Sequence, residues 1–254
     1  LYGTKFLDAD NGWAVGAFGT IVRTRDGGRI WHAQMSGTVE HLFSIDFPDP
    51  QCGWVVGRVG IILHTCDGGE TWERQTAANP QHLFNVHAVD AQHAWAVGDW
   101  GTILSTSDGG TTWTPHALDR DVILNSQAWP DAQHGWIVGE GGVILASRDG
   151  GATWVDQNSG VAKTLFGTFF RDASTGWAAG LDGLIVRTTD SGQTWVVQNG
   201  APEVATLEQV GFRNVALPRR EPSPKHRRRI PQVRESNRTH VAHKRRAVRV
   251  GQCG

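Results

Sequence analysis

Short apolar runs separated by turn-forming residues recur along the first two hundred residues of the chain. In residues 42–82, Phe43, Ile45 and Phe47 alternate with polar residues, which predicts a strand with these three side chains on one face. Further strands are predicted at 54–56, at 61–64 and from 71 onward, each bounded by turns rich in glycine, proline or aspartate. No segment keeps a helical apolar period beyond two turns. Four short antiparallel strands in about 40 residues predict one blade of a β-propeller.

This pattern returns with a period of 41 residues. Three sets of landmarks share the step: Trp13, Trp54, Trp95, Trp136 and Trp177; Asp26, Asp67, Asp108, Asp149 and Asp190; Trp31, Trp72, Trp113, Trp154 and Trp195. Leucines at strand starts follow it too, at Leu1, Leu42, Leu83, Leu124 and Leu165, and Leu207 arrives one residue late. We therefore expect an all-β propeller with repeats near 1–41, 42–82, 83–123, 124–164 and 165–206, and the start of a sixth at 207–212.

The turn before the fourth strand of each repeat has a fixed composition, as in Thr106-Ser107-Asp108-Gly109-Gly110-Thr111-Thr112-Trp113. The aspartate is expected to accept hydrogen bonds from N–H groups two and three residues on, and glycine supplies positive φ. The tryptophan is expected to pack beneath the turn, between blades. Five equivalent aspartates on five blades cannot converge on one site. We therefore interpret the five aspartates and the tryptophans that follow them as structural.

These turns resemble the Asp-box, or bacterial neuraminidase repeat, although the first copy has Ile30 where the box has threonine. The preceding Gly-Trp-x-Val-Gly-x-x-Gly-x-Ile-Leu run, at 53–63 and 135–145, resembles the photosystem II stability and assembly factor family. The resemblance covers residues 1 to about 212. It implies a seven-bladed propeller, of which this chain would be an open arc or an imperfectly closed ring. It also implies a non-catalytic scaffold that binds a membrane-protein assembly intermediate outside the cytoplasm.

Charge divides the chain into two segments. Residues 1–212 carry a net charge of −12 and residues 213–254 a net charge of +11. The basic segment has four prolines and no aromatic residue, a composition that predicts disorder. It could bind nucleic acid, although aromatic residues for base stacking are missing, or fold back on the acidic body, or be non-native sequence. The break in mid-blade favours the last of these.

Several features bear on the class of protein. No apolar run is long enough to span a membrane, and the chain begins at Leu1 without a signal-like segment, which suggests removal of a segment or a fragment. With three cysteines, no disulfide framework is expected, and Cys52 and Cys66 are interpreted as local variants at turn positions. No spacing predicts a metal site, and no cofactor is expected; His41 and His82 are interpreted as exposed loop residues rather than ligands.

Catalysis of the sialidase kind would need a tyrosine nucleophile. Tyr2 is the chain's one tyrosine, and it stands at the strand position that Phe43, Phe84 and Phe166 fill in other repeats. We interpret it as a packing aromatic and predict no catalytic residue. The alternative function is a carbohydrate-binding or glycoside-hydrolase-type propeller, since the body has many carboxylates, but no pair of them can be singled out.

Residues at the hairpin between the second and third strands differ from repeat to repeat while the frame around them stays fixed. In an up-and-down blade this hairpin lies at the end opposite the Asp-boxes. The candidate partner-binding residues there are Phe18, Arg58, Asp99, Trp100, Glu140 and Asp182. Large apolar residues at such tips suit a protein interface, with ordinary surface scatter as the other interpretation. A protein partner is favoured, a glycan is second, and nucleic acid is disfavoured.

Overall fold

The computed structural model describes residues 1–77, 80–116, 118 and 120–198. These residues form five sheets, each of four antiparallel strands in simple up-and-down order. The first strand of each blade packs against the first two strands of the blade before it, so that the sheets form an open arc of propeller blades. The predicted all-β propeller is confirmed. The predicted sixth start at 207–212 and the basic segment at 213–254 lie outside the described residues.

The strands keep nearly the same bounds from blade to blade. They are β1 Gly3–Phe6, β2 Gly12–Val15, β3 Ile21–Thr24 and β4 His32–Gln34; β5 Leu42–Asp46, β6 Gly53–Gly57, β7 Ile62–Thr65 and β8 Glu73–Gln75; β9 Leu83–Ala88, β10 Ala94–Gly98, β11 Ile103–Thr106 and β12 Thr114–His116; β13 Leu124–Ala128, β14 Gly135–Gly139, β15 Ile144–Ser147 and β16 Val155–Gln157; β17 Leu165–Phe170, β18 Gly176–Gly180, β19 Ile185–Thr188 and β20 Val196–Val197. Single 3₁₀ turns follow the second strand at Ala17–Gly19, Arg58–Gly60, Glu140–Gly142 and Leu181–Gly183. Among the described residues, no helix has the length and apolar composition of a membrane span.

A β-bulge near the start of the first strand corrects one expectation. In β5 the pairing with β6 passes from Leu42 to Ser44, so Phe43 is the unpaired extra residue. Ile45 and Phe47 are buried, whereas Phe43 stays partly exposed. Phe43 therefore does not share the buried face of the other two, because the bulge breaks the two-residue alternation at its position.

Stacked aromatic rings join successive blades. Trp13 of the first blade stacks on Phe47 of the second with ring centroids 3.9 Å apart, and Trp72 meets Phe47 edge-on at 5.9 Å. The fourth and fifth blades repeat this arrangement with Trp136 on Phe170 at 3.7 Å. The Asp-box tryptophan thus packs at the blade junction, as expected. Trp31 is the exception, 37% exposed, because no described blade packs on the outer side of the first sheet.

The glycine that opens the second strand makes room for these rings. A Cβ on Gly53 would lie 2.6 Å from the Phe47 ring, and one on Gly135 would lie 2.7 Å from Trp129. In the third blade Ala94 replaces this glycine, and Ala88 replaces the aromatic residue. The two replacements compensate for each other, because the small side chain of Ala88 leaves room for a Cβ at residue 94.

Glutamines of the fourth strand form a second link between blades. Gln75 donates to the carbonyl oxygen of Gly109 at 2.7 Å and accepts from the indole N–H of Trp113 at 3.1 Å. Its Oε1 also accepts from the indole of Trp54 at 3.2 Å, at the junction where Ala88 replaces the aromatic residue. Gln157 makes the corresponding bond to Trp195. Each link joins one blade to the Asp-box of the next.

Cys52 and Cys66 form a disulfide across the turns that flank β6 and β7. The interpretation of both as unlinked local variants was wrong. Gly53 pairs with Thr65, so the residues just outside that pair face each other across the hairpin. The odd cysteine count hid the pair, since Cys253 belongs to the basic segment.

Candidate functional site

The turns of each blade lie at two opposite ends of the arc. At one end, the Asp-box turn is bonded to the turn between the first and second strands, as in Gly68 N–H donating to the Gln51 carbonyl at 2.8 Å. At the other end, the hairpin after the second strand is bonded to the segment that enters the blade, as in Arg58 N–H donating to the His41 carbonyl at 2.8 Å. We call these the Asp-box end and the hairpin end.

The Asp-box carboxylates are engaged within their own turns. Asp67 accepts from the N–H of Thr71 at 3.0 Å and from its hydroxyl at 2.6 Å. The Thr65 hydroxyl donates to Asp67 and accepts from the N–H of Gly69. The backbone donor to the carboxylate is thus four residues on, not two or three as expected, because the Thr65 hydroxyl serves the nearer N–H. Hydrogen bonds from Thr71 lower the pKa of Asp67 to about 2.

The first Asp-box lacks one of these bonds. Ile30 donates its N–H to Asp26 at 2.9 Å, but it has no hydroxyl, and its side chain is 58% exposed. We therefore expect Ile30→Thr to raise the free energy of unfolding by about 0.5–1 kcal/mol, measured by urea denaturation. The reverse change Thr153→Ile should lower it by a similar amount. A loss of stability in Ile30→Thr would contradict the structural role of the hydroxyl.

The hairpin end carries side chains on strained backbone. The second tip residue has positive φ in every blade: 55° at Phe18, 51° at Val59, 56° at Trp100, 65° at Gly141 and 56° at Asp182. Only the fourth blade places glycine there, although the conformation favours glycine at all five positions. A positive φ is unusual for a bulky residue and more so for β-branched valine, and it costs about 1–3 kcal/mol. Phe18 is 77% exposed and Trp100 is 60% exposed, so packing does not explain them.

The charged candidates of this end differ in their surroundings. Asp182 forms an ion pair with Lys163 at 3.0 Å. Burial raises the pKa of Asp99, an effect that nearby His82 partly offsets. Arg58 and Glu140 are exposed. The arrangement is a set of separate tips spread over successive blades, three of them apolar, with Asp99 beside Trp100, Glu140 beside Gly141 and Arg58 beside Val59.

The bulged aromatics form a further part of the hairpin end that sequence reasoning missed. Phe43 lies 5.8 Å from the Tyr2 ring and 5.6 Å from the Phe84 ring, so three adjacent blades contribute to one row. The Tyr2 hydroxyl bonds to His41 Nδ1 at 3.3 Å, and Phe18 meets the His41 ring at 5.3 Å. The row therefore reaches the first tip. The sequence signal for this row is the aromatic residue that recurs at positions 2, 43, 84 and 166. Regular strand alternation predicts that these side chains lie in the core.

The two histidines predicted to be exposed loop residues, His41 and His82, have defined contacts. His82 Nδ1 accepts the N–H of Val59 at 3.0 Å, and this bond holds the strained hairpin tip of the second blade in place. His41 contacts the aromatic row, as described above. Over the part of the chain that the structure describes, the one group of three residues with metal-ligand types close together is Cys52, His64 and Cys66. Two of those three are joined by the disulfide.

A second missed cluster lies at the Asp-box end, where the first strands of three blades meet. Asp46 is buried, contacts Lys5 Nζ at 2.6 Å and His87 Nδ1 at 3.3 Å, and accepts the N–H of Ala88 at 2.8 Å. Burial alone would raise the pKa of Asp46, but His87 and the Lys5 charge outweigh it and lower the pKa to about 2. Lys5, His87 and Trp129 line a cavity of about 430 Å³. The Asp-box end is therefore not occupied by turn structure alone.

Comparisons with known proteins agree on the architecture. Among solved structures, YCF48 bound to a D1 peptide has 22% identity and a TM-score of 0.56, covering 78% of this chain and 82% of that one. YCF48 from Cyanidioschyzon merolae has 20% identity and a TM-score of 0.49, covering 84% and 89%. The GH74 enzyme of Niastella koreensis has 14% identity and a TM-score of 0.62, covering 77% of this chain and 37% of the enzyme. No curated protein matches the chain.

The likeness to the D1-peptide complex and to the GH74 enzyme shows a shared propeller fold. The family assignment comes from the sequence itself. The model of the photosynthesis system II assembly factor YCF48 matches residues 1–115, 75–157 and 117–202 in overlapping stretches, which together span most of the chain. The chain belongs to the family of the photosynthesis system II assembly factor YCF48.

Proposed function

We propose that this chain is a non-catalytic assembly scaffold that binds a segment of a partner protein at its hairpin end. The observation that carries the proposal is the positive φ of Phe18, Val59 and Trp100. Glycine at the same position of the fourth blade fits without strain, so the fold does not require side chains there. Strain that serves no folding purpose is typical of binding sites.

The chemistry of the surface suits a peptide with apolar and basic residues. Exposed Phe18 and Trp100 offer apolar contact area, and a central tryptophan often dominates binding energy at an interface. Asp99 directly precedes Trp100 in the chain and Glu140 directly precedes the Gly141 tip of the next blade, and both carboxylates would favour cations. The partly exposed rings of Phe43 and Phe84 form a continuous apolar surface across two blades, between the tips. A chain segment lying along the arc would touch several tips at once.

The sharpest test replaces Trp100 with glycine. Trp100→Gly removes the side chain and also removes the strain, since the tip would then match the fourth blade. We expect binding of a D1 peptide, the probe that a solved relative carries, to weaken at least about tenfold. The stability of the variant should equal or exceed that of the natural chain. Isothermal titration calorimetry and urea denaturation measure the two effects.

Arg148→Ala is the matched control, because Arg148 is an exposed residue of an Asp-box at the other end. It should change neither binding nor stability by more than a small amount. Equal losses of affinity in both variants, or a large loss of stability in Trp100→Gly, would contradict binding at the hairpin end. Full binding by Trp100→Gly would reject the proposed tip.

A carbohydrate role is the second candidate, and the cavity beside Lys5 and His87 is the observation that favours it. It would place ligand binding at the Asp-box end, so Trp100→Gly would not affect it. The Tyr2 ring packs against the rings of His41 and Phe43, and this packing role supports the non-catalytic proposal. We also propose an extracytoplasmic location, which the Cys52–Cys66 disulfide supports, because such bonds persist in oxidising compartments.

A further inference from the structure

The Cys52–Cys66 disulfide is a feature of one blade only. At the corresponding positions the other blades have Asn11 with Arg25, His93 with Ser107, His134 with Arg148, and Thr175 with Thr189. In all five blades the two turns are already joined by a backbone hydrogen bond of 2.8–3.0 Å, for example Gly109 N–H to the Gln92 carbonyl. The blade fold does not require a covalent link at this place.

The two sulfur atoms have different surroundings. Cys66 is an exposed residue of the second Asp-box, whereas Cys52 is 9% exposed. His64 lies on β7, two residues before Cys66, and its Nε2 is 3.5 Å from the Cys66 sulfur. Trp54 stacks on the His64 ring with centroids 4.5 Å apart and so holds the imidazole in place. One sulfur is thus accessible and has a hydrogen-bonding partner, and the other is sheltered.

The charged groups nearby are mostly acidic. Glu73 on β8 lies opposite His64 on β7 in the strand register, and Asp67 follows Cys66 in the chain. Asp49 accepts the N–H of Cys52 at 2.9 Å. Arg23 of the first blade approaches Asp67 from across the junction. The acidic groups disfavour a thiolate, so a hydrogen bond from His64 is the direct contact that would stabilise one at Cys66.

We propose that Cys52 and Cys66 form an exchangeable disulfide that reacts through Cys66 with a thiol-bearing partner. An incoming thiolate attacks the accessible Cys66 sulfur, the bond to Cys52 breaks, and Cys52 leaves as a thiolate that takes a proton from solvent. When the partner is a dithiol, its second thiolate attacks its own sulfur in the mixed disulfide. Cys66 then leaves as a thiolate that His64 stabilises. The partner is oxidised to a disulfide, and the two cysteines are reduced to thiols.

Single-thiol variants test the asymmetry. In a Cys253→Ser background, Cys52→Ser leaves Cys66 alone, and Cys66→Ser leaves Cys52 alone. Mass spectrometry can follow the mixed disulfide that each forms with oxidised glutathione. We expect Cys66 to react at least about tenfold faster than Cys52. Adding His64→Ala to the Cys66 variant should slow it about tenfold at neutral pH and move the midpoint of its rate profile to higher pH.

His116→Ala is the matched control, because His116 also packs against a blade tryptophan, Trp95 at 4.8 Å, but lies in another blade. It should leave the rate unchanged, and circular dichroism should show all variants folded. Equal reactivity of the two cysteines, or no effect of His64→Ala in a folded variant, would overturn the proposal. Parallel reduction of the intact disulfide by glutathione and by a thioredoxin-type dithiol protein would distinguish a small-thiol partner from a protein partner.

Discussion

Trp136→Ala should lower the free energy of unfolding by about 3–5 kcal/mol, because it empties the junction between the fourth and fifth blades. Trp136 is fully buried, and its ring stacks on Phe170 at 3.7 Å. The glycine at 176 lies directly under the Phe170 ring, and the surrounding sheets cannot close the gap without moving a whole blade. Urea denaturation followed by tryptophan fluorescence measures the loss.

The control for this change is Trp31→Ala, at the outer side of the first blade. Trp31 is 37% exposed and meets Phe6 edge-on at 5.9 Å, so less buried area is lost there. Trp31→Ala should lower the free energy of unfolding by well under half as much as Trp136→Ala does. Equal losses at the two positions would contradict the view that stacking between blades stabilises the arc.

Asp46→Asn should cost about 3 kcal/mol at neutral pH, because it removes the buried anion that joins three blades. The amide keeps the size of the side chain, but it cannot accept from Lys5, His87 and the N–H of Ala88 as a carboxylate does. Asp182→Asn is the control, since the exposed pair with Lys163 contributes little. A cost near that of Asp182→Asn would show that the buried cluster adds no stability.

The same residue predicts an acid-dependent loss of stability. The pKa of Asp46 is lowered to about 2 in the folded chain, below the value near 3.9 of an unfolded aspartate. Its contribution is therefore complete only above about pH 5, and it is lost progressively as the pH falls through the folded pKa of about 2. In a series of urea titrations, the natural chain should lose about 2 kcal/mol more than Asp46→Asn over this interval. Parallel curves for the two proteins would contradict the lowered pKa.

The repeat period was sufficient to predict the blades, because four strands per 41 residues leave few other ways to bury two tryptophans in each repeat. The bulge at Phe43 was not predictable from alternation, since one extra residue changes the face without changing composition. The disulfide was missed for another reason. Pairing of Cys52 with Cys66 depends on hairpin register, and the cysteine count alone does not contain it.

The candidate site was predicted in part. Comparison of the five copies located the tips at Phe18 and Trp100, because positions that the fold does not dictate are free to differ. The positive φ at these tips could have been suspected from Gly141, which occupies the same position. The cluster around Asp46 could not have been suspected from the sequence, because Lys5, Asp46 and His87 come from separate repeats.

The composition of each blade junction has a consequence for how such chains change in evolution. The junction side chain and the small residue beneath it, such as Phe47 with Gly53 or Ala88 with Ala94, come from the same repeat. To this ring packing the preceding repeat contributes a tryptophan that every copy has, apart from the separate glutamine link. A 41-residue block can therefore be duplicated, deleted or reordered by recombination with its aromatic packing intact, except where a group such as Asp46 needs partners from the neighbouring repeats. Each such event would also reorder the exposed tips, so new binding surfaces can arise by shuffling whole blocks, without point mutations in the core.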